Sequence, residues 1–167
     1  TIAYEGLKVG VYGAERENKT QTAAGSDGVR DEFNGVWYAK YSMGPVSIGY
    51  SESYLDSGVS ESSTVATTTA KGLRTSGGIF EGQQIGIAFN VNDNLSISYT
   101  TSDETYDTQD DAATATTADD DVTESTDAIQ VAYSMGGMSV KAYNMETTNP
   151  DQDDDAADRS VTEIALG

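Results

Sequence analysis

The sequence predicts an all-β chain: an antiparallel, up-and-down transmembrane β-barrel of which eight strands are visible. Three observations predict it. Segments of about ten residues alternate apolar and polar side chains with period two, as strands with one greasy face do. Tight turns alternate with long segments rich in Asp, Thr, Ser and Ala, the arrangement of barrels with short turns at one end and long loops at the other. Hydrophobic content is 37%, low for a packed soluble core of this size but suited to strands that are apolar on one face only. The 167 residues suffice for one ordinary domain, and 1–167 reads as a single barrel segment with no separate domain.

The elements follow in order. In the first, Leu7, Val9 and Val11 oppose Lys8, Gly10 and Tyr12. The second, about 33 to 43, sets Trp37, Ala39, Tyr41 and Met43 against Asn34, Tyr38, Lys40 and Ser42. The third, about 46 to 55, opposes Val46, Ile48 and Tyr50 to Ser47, Gly49 and Ser51. The fourth, about 82 to 91, has Ile85, Ile87, Phe89 and Val91 against Gln84, Gly86, Ala88 and Asn90. The fifth, about 95 to 103, has Leu95, Ile97 and Tyr99 against Ser96, Ser98 and Thr100. The sixth, about 126 to 135, has Ile129, Val131, Tyr133 and Met135 against Gln130, Ala132 and Ser134. The seventh, about 138 to 146, has Met138, Val140 and Ala142 against Ser139, Lys141 and Tyr143. In the eighth, about 160 to 167, Ile164 and Leu166 oppose Glu163 and Ala165. The opening Thr1-Ile2-Ala3-Tyr4 reads as the tail of a ninth strand that began upstream.

Hairpin turns are expected at Glu5-Gly6, Gly44-Pro45, Asn92-Asp93-Asn94 and Gly136-Gly137, where Gly and Asn accept tight-turn backbone angles. Long connections are expected over about 17–32, 56–81, 104–125 and 147–159. A hairpin also repeats: Tyr41-Ser42-Met43-Gly44 is echoed by Tyr133-Ser134-Met135-Gly136, each followed by an alternating strand. Tyr41, Phe89 and Tyr133 then stand at comparable heights, as an interfacial aromatic girdle would. Ten residues at ~3.3 Å each, tilted by ~40°, cover ~25 Å along a membrane normal.

Composition excludes several chemistries. Asp and Glu number 28 against 9 Lys and Arg, a net charge of −19 that repels nucleic-acid phosphates. There is no cysteine or histidine, so disulfides, thiolate zinc sites, Ser-His-Asp catalysis and His-ligated metals are ruled out. No phosphate-cradling motif follows Gly77-Gly78. Glu52, Glu81 and Glu163 sit in no motif that pairs them for carboxylate-driven hydrolysis. No catalytic residues are assigned and no enzyme is expected.

The face opposite the greasy one is small and polar, which suits the wall of a wide, watery lumen better than the packed interior of a narrow barrel. The stretches Gly6-Leu7-Lys8-Val9-Gly10-Val11-Tyr12, the two Tyr-Ser-Met-Gly hairpins and the ending Val161-Thr162-Glu163-Ile164-Ala165-Leu166-Gly167 resemble the C-terminal half of a Gram-negative outer-membrane general porin of the alphaproteobacterial type. Porins of this kind typically end in an aromatic residue, whereas Gly167 ends this sequence. The resemblance implies a sixteen-stranded, homotrimeric outer-membrane barrel for passive diffusion of ions and small hydrophilic solutes. Its partners would be the bilayer and lipopolysaccharide, and no cofactor is required. The family's inward-folded constriction loop would lie in the other half. The outer faces bearing Trp37 or Leu95 are candidates for the trimer contact. The alternative expectation is a closed eight-stranded structural or adhesive barrel.

Parity puts Lys8, Tyr38, Lys40 and Lys141 on the polar face, with Arg16 in phase nearer the loop end. These are the expected pore-lining residues, placed to tune ion selectivity. Lysine facing lipid at mid-depth would cost ~2–4 kcal/mol. Two acidic runs, Asp119-Asp120-Asp121 and Asp153-Asp154-Asp155, with Asp110, Asp111 and Asp158 nearby, offer oxygen ligands of the kind Ca²⁺ takes. The alternative for these runs is a solvated loop that makes the mouth negative and attracts cations.

Overall fold

The structure is a computed structural model in which residues 1–17, 31–56, 79–107 and 121–167 are described. Nine strands follow one another: β1 (Ile2–Tyr4), β2 (Leu7–Arg16), β3 (Glu32–Met43), β4 (Val46–Asp56), β5 (Ile79–Asn92), β6 (Leu95–Asp107), β7 (Val122–Met135), β8 (Met138–Thr148) and β9 (Arg159–Leu166). They form one sheet in sequence order, each strand antiparallel to the next. Every connection is therefore to a neighbour, the up-and-down pattern that alternation and turn spacing predict. β1 and β9 are the two edges of the sheet, which is not closed.

The hairpins sit where the turn residues require them. Glu5 (φ 41°) and Gly6 (φ 87°) take left-handed angles between β1 and β2, and Gly44 and Gly136 do the same at the two Tyr-Ser-Met-Gly turns. Positive φ at both central residues, as at Glu5-Gly6, or at the first alone, as at Gly44 and Gly136, matches the twist of the flanking strands. Between β5 and β6 the Asn92 side chain accepts the backbone N–H groups of Asn94 (2.9 Å) and Leu95 (3.0 Å), an Asx turn that replaces glycine. A bulge at Asn90–Asn92 precedes it.

Several strands run further than apolar alternation marks them. β5 starts at Ile79, β6 reaches Asp107 and β7 starts at Val122. One face of these extensions carries the single apolar row Phe80, Tyr106, Val122; one apolar residue per strand on that face is too few to show period two in the sequence, yet the ladder continues. Cross-strand side chains hold them instead: Thr105 with Thr123 at 2.7 Å, Ser125 donating to Asp103 at 2.6 Å, and Thr126 with Thr147 at 3.2 Å. Such pairs contribute ~0.2–1 kcal/mol each.

Over the short-turn half the register divides the side chains into an apolar and a polar face; towards the loops the two mix, with Glu52, Glu81 and Asp103 on the first and Val36, Leu55 and Phe80 on the second. One apolar row runs Tyr41, Ile48, Ile87, Tyr99, Ile129 across β3 to β7. Tyr41, Phe89 and Tyr133 all lie on this face near the short turns. The opposite face presents rows such as Lys40, Gly49, Gly86, Thr100, Ala128. Among the described residues only Gly10, Asp56, Ile79 and Pro150 are buried. Ile48, Ile87 and Ile129 remain 46–50% exposed because nothing in the sheet covers their face. A single layer with an uncovered apolar face has no second layer to bury it against.

Candidate functional site: the polar face of the sheet

The polar face begins with backbone parity. β2 and β3 pair so that Lys8 stands opposite Lys40, Gly10 opposite Tyr38, and Arg16 opposite Glu32. Gly10 has no side chain, and the Tyr38 ring lies over it; a Cβ built on Gly10 would overlap Cε1, Cζ and Oη of that ring. An aromatic laid across a cross-strand glycine restores the packing the glycine lacks. The ring thus lies flat against the wall, and Lys8 Nζ approaches its centroid at 5.9 Å. That cation–π contact gives the Lys8 ammonium a partner beside the like charge of Lys40.

Towards β4 and β5 the face is shallow. Gly49 and Gly86 are directly opposed, and the depression they leave, ≈ 230 Å³, is lined by Tyr38, Lys40, Ser51, Gln84 and Thr100. A second depression of ≈ 420 Å³ lies over β5 to β9 and includes Gln130, Lys141, Tyr143 and Glu163. There Tyr143 Oη donates to Glu163 Oε2 at 3.0 Å, so Glu163 is held by a neighbouring strand and is apart from Glu52 and Glu81, which stand on the other face. Small, hydroxylated and amide side chains make this wall wettable towards the short turns, whereas Val36, Leu55, Phe80 and Tyr106 give it apolar ground towards the loops.

The expected pore-lining set therefore shares one face but does not form one cluster. Lys8, Tyr38 and Lys40 are together on β2 and β3; Lys141 stands on β8, opposite Ala132. Lys8, Lys40 and Lys141 all lie towards the short-turn end. Arg16 lies at the loop end, 81% exposed, with Nη1 3.7 Å from Glu32 Oε2. An exposed pair of this length contributes little to stability. Every cation among the described residues occupies a polar-face position or pairs with a group there, Arg159 included.

Acidic groups hold the loop end of the same face, and parity gave no sign of how they are organised. Glu104 on β6 stands directly opposite Glu124 on β7, a like-charge pair that is unfavourable by itself. The segment after β8 folds back over them. Asp151 N–H donates to Glu124 Oε2 at 2.6 Å, Gln152 Nε2 donates to Glu104 Oε1 at 2.8 Å, and Asn149 Nδ2 donates to the Thr123 carbonyl at 3.0 Å. Pro150 is fully buried beneath this turn. Asn149, Asp151 and Gln152 all have positive φ, 49°, 65° and 48°, each costing on the order of 1 kcal/mol. The new hydrogen bonds to the two carboxylates offset that strain. Arg159 Nη2 closes the segment onto Asp151 Oδ2 at 2.9 Å.

The acidic runs divide. Asp110, Asp111, Asp119 and Asp120 lie outside the described residues, and Asp121 immediately precedes β7. The carboxylate oxygens of Asp153, Asp154 and Asp155 gather within 4.8 Å of one another, and Asp155 N–H donates to Asp153 Oδ1 at 3.0 Å. These three are the residues able to offer oxygens to one divalent ion. Asp154 and Asp155 are exposed and Asp153 is half-buried.

No helix among the described residues is long and apolar enough to cross a membrane. The chain matches no protein-family model, no curated protein and no solved structure.

Proposed function

We propose that this chain forms part of the wall of an outer-membrane β-barrel whose polar face lines a water-filled pore, and that it acts as a porin for passive diffusion of ions and small hydrophilic solutes. The observation that carries this reading is the uncovered apolar face. A run of Leu, Val, Ile, Phe, Tyr and Met side chains on one side of a single-layer sheet needs lipid or protein against it. A wettable opposite face with Lys8, Lys40 and Lys141 suits the lumen of such a barrel. The work is passive: the wall excludes nothing small and polar, and its charges bias which ions pass. No reaction and no cofactor are required.

The edges favour a barrel larger than this sheet. β1 pairs with β2 at Leu7–Val9 and so occupies the edge of β2 that β9 would need for an eight-stranded closure. β1 and β9 run in the same direction, so joining them would make a parallel seam, whereas bacterial single-chain barrels close antiparallel with an even strand number. Sixteen strands, a homotrimer and contact with lipopolysaccharide are the proposed completion. A closed eight-stranded structural barrel is the rival.

The test uses the native polypeptide that carries this sequence. Its intact mass is measured, and it is reconstituted into planar bilayers. A mass near twice 17.6 kDa with stepwise conductance proportional to bulk electrolyte is the expected result. A mass near 17.6 kDa with no conductance from folded, inserted protein overturns the porin reading and leaves the structural barrel.

A further inference from the structure

We propose that the apolar face carries, at its loop end, a binding site for an organic ammonium ion. The inference is independent of the pore, because the site lies on the other side of the sheet. Gly13 and Gly35 are directly opposed across β2 and β3, a stretch of bare backbone at the edge of a cavity that Gly35 lines. Phe33 leans partly over it: a Cβ on Gly35 would meet Phe33 Cε1 at 2.9 Å. The cavity measures ≈ 570 Å³, within the range of small-molecule sites. Its aromatic side is Phe33, Trp37 and Tyr54; its other side is Glu52, Glu81 and Asp103. The Phe33 and Tyr54 rings are 6.1 Å apart and tilted by 48°, so they form two walls of a corner.

The hydrogen-bond inventory fixes the chemistry of the occupant. Trp37 Nε1 already donates to Glu52 Oε2 at 2.8 Å, and Tyr50 Oη already donates to Glu52 Oε1. Gln83 Nε2 donates to Tyr50 Oη at 2.8 Å. The nearby donors are thus spent on protein acceptors, while carboxylates accept up to about four hydrogen bonds each. No Lys or Arg is among the described residues that line the cavity. What fits is a ligand that supplies positive charge and donors or a soft cationic surface. Its head would lie against the carboxylates and the aromatic faces, the arrangement that recognises alkylammonium groups. A hydrocarbon arm would run down beside Val11 and Trp37 towards the apolar band.

A metal ion fits less well. Among the described residues the convergent carboxylate group is Asp153–Asp155, not these three, so Glu52, Glu81 and Asp103 do not close on a single ion. A neutral sugar would find acceptors in excess and few donors left to offer it.

Calorimetric titration of the folded protein in a nonionic polyoxyethylene detergent tests the site, with benzyltrimethylammonium chloride as the probe and glucose and calcium chloride as comparisons. Saturable binding of the ammonium that weakens as salt rises is expected. Glu81→Gln should weaken it at least ten-fold. Thr105→Lys, which places a tethered ammonium in the same cavity, should abolish it and keeps the test decisive if Glu81→Gln does not fold. Far-ultraviolet circular dichroism confirms the sheet in each variant. Equal binding of glucose, displacement of the ammonium by calcium at equal ionic strength, no saturable ammonium binding, or unchanged affinity in both variants overturns the assignment.

Discussion

The Tyr38 ring lies across Gly10, its direct partner on the next strand, and by lying there it brings its face beneath the Lys8 ammonium. One missing side chain thus sets both the packing and the local charge of this stretch of wall. A methyl group at Gly10 must push the ring away. Gly10→Ala is expected to destabilise the folded protein by about 1–3 kcal/mol, the usual cost of overpacking. Adding Tyr38→Ala should recover part of that loss, so the double variant falls short of additivity. Urea titrations of the inserted protein, followed by the mobility of unheated samples, give all four corners of the cycle.

Lys8 and Lys40 concentrate positive charge at the short-turn end of the polar face. Neutralising both by Lys→Gln should shift permeation towards cations. A unit charge acting through water at about 10 Å contributes ~0.4 kcal/mol, or roughly two-fold in a permeability ratio. Reversal potentials across a salt gradient measure it, and the shift should shrink as ionic strength rises. An unchanged ratio would mean that these lysines do not face the conducting path.

The two faces make opposite demands on a substituted charge. Ile87 lies on the apolar face in the row of Ile48 and Tyr99, whereas Ala88 next to it faces the polar side with Ser47 and Ser98. Ile87→Lys is expected to cost ~2–4 kcal/mol of folding into vesicles if that row sits near mid-bilayer. Ala88→Lys should cost less than ~1 kcal/mol on a wetted surface. Equal penalties at both positions would sink the assignment of lipid and water to the two faces.

The turn after β8 is anchored to Glu124 by the Asp151 N–H and to Glu104 by Gln152 Nε2, which reaches both the Glu104 carboxylate and its backbone carbonyl. Gln152→Ala removes the Gln152 Nε2 donor and leaves Glu104 facing Glu124 without it. A charged hydrogen bond of this kind is worth ~1.5–3 kcal/mol when well shielded, and partial exposure brings the expectation to about 1 kcal/mol. Amide exchange of residues 149–156 should accelerate by about five-fold, with exchange in β2 and β3 unaffected. A uniform loss of protection across the sheet would show instead that the turn supports the whole fold.

Much of this architecture can be read from alternation alone. Residue pairs such as Ile85/Gly86 and Val131/Ala132 announce both strand and face, and Gly6, Gly44 and Gly136 announce the turns. Parity also places Lys8, Lys40 and Lys141 together on the polar face. What alternation cannot show is structure that carries no apolar signal. The outer ends of β6 and β7 read as loop because Asp103, Glu104, Thr123 and Glu124 are polar on both faces, yet their ladder persists. The return of Asn149–Gln152 over β6 and β7 depends on three left-handed residues, none of them glycine, and so leaves no recognisable turn signature. The cavity beside Trp37 is lined by Gly35, Glu52, Glu81 and Asp103 from four different strands, residues far apart in sequence whose meeting only the register reveals.

The apolar stretches on this face are short: five residues for Leu7 to Val11 on β2, Val46 to Tyr50 on β4 and Leu95 to Tyr99 on β6, and seven for Trp37 to Met43 on β3, Ile85 to Val91 on β5 and Ile129 to Met135 on β7. Beyond them come Glu52, Asp103 and Asp127, with Glu52 held by Trp37 and Tyr50, and Asp127 held by Tyr99 at 2.6 Å. Some six residues give ~20 Å along a strand and ~15 Å along the normal at a tilt of ~40°, well short of the ~25 Å apolar belt usual for such barrels. If the sheet spans a membrane as proposed, hydrophobic mismatch follows. Lipids with short acyl chains match the belt as it stands, whereas thicker bilayers must pinch inward around it at a cost for every ångström. The tyrosine-held carboxylates Glu52 and Asp127, in adjacent rows, mark the height at which the leaflet of the proposed barrel would have to give way.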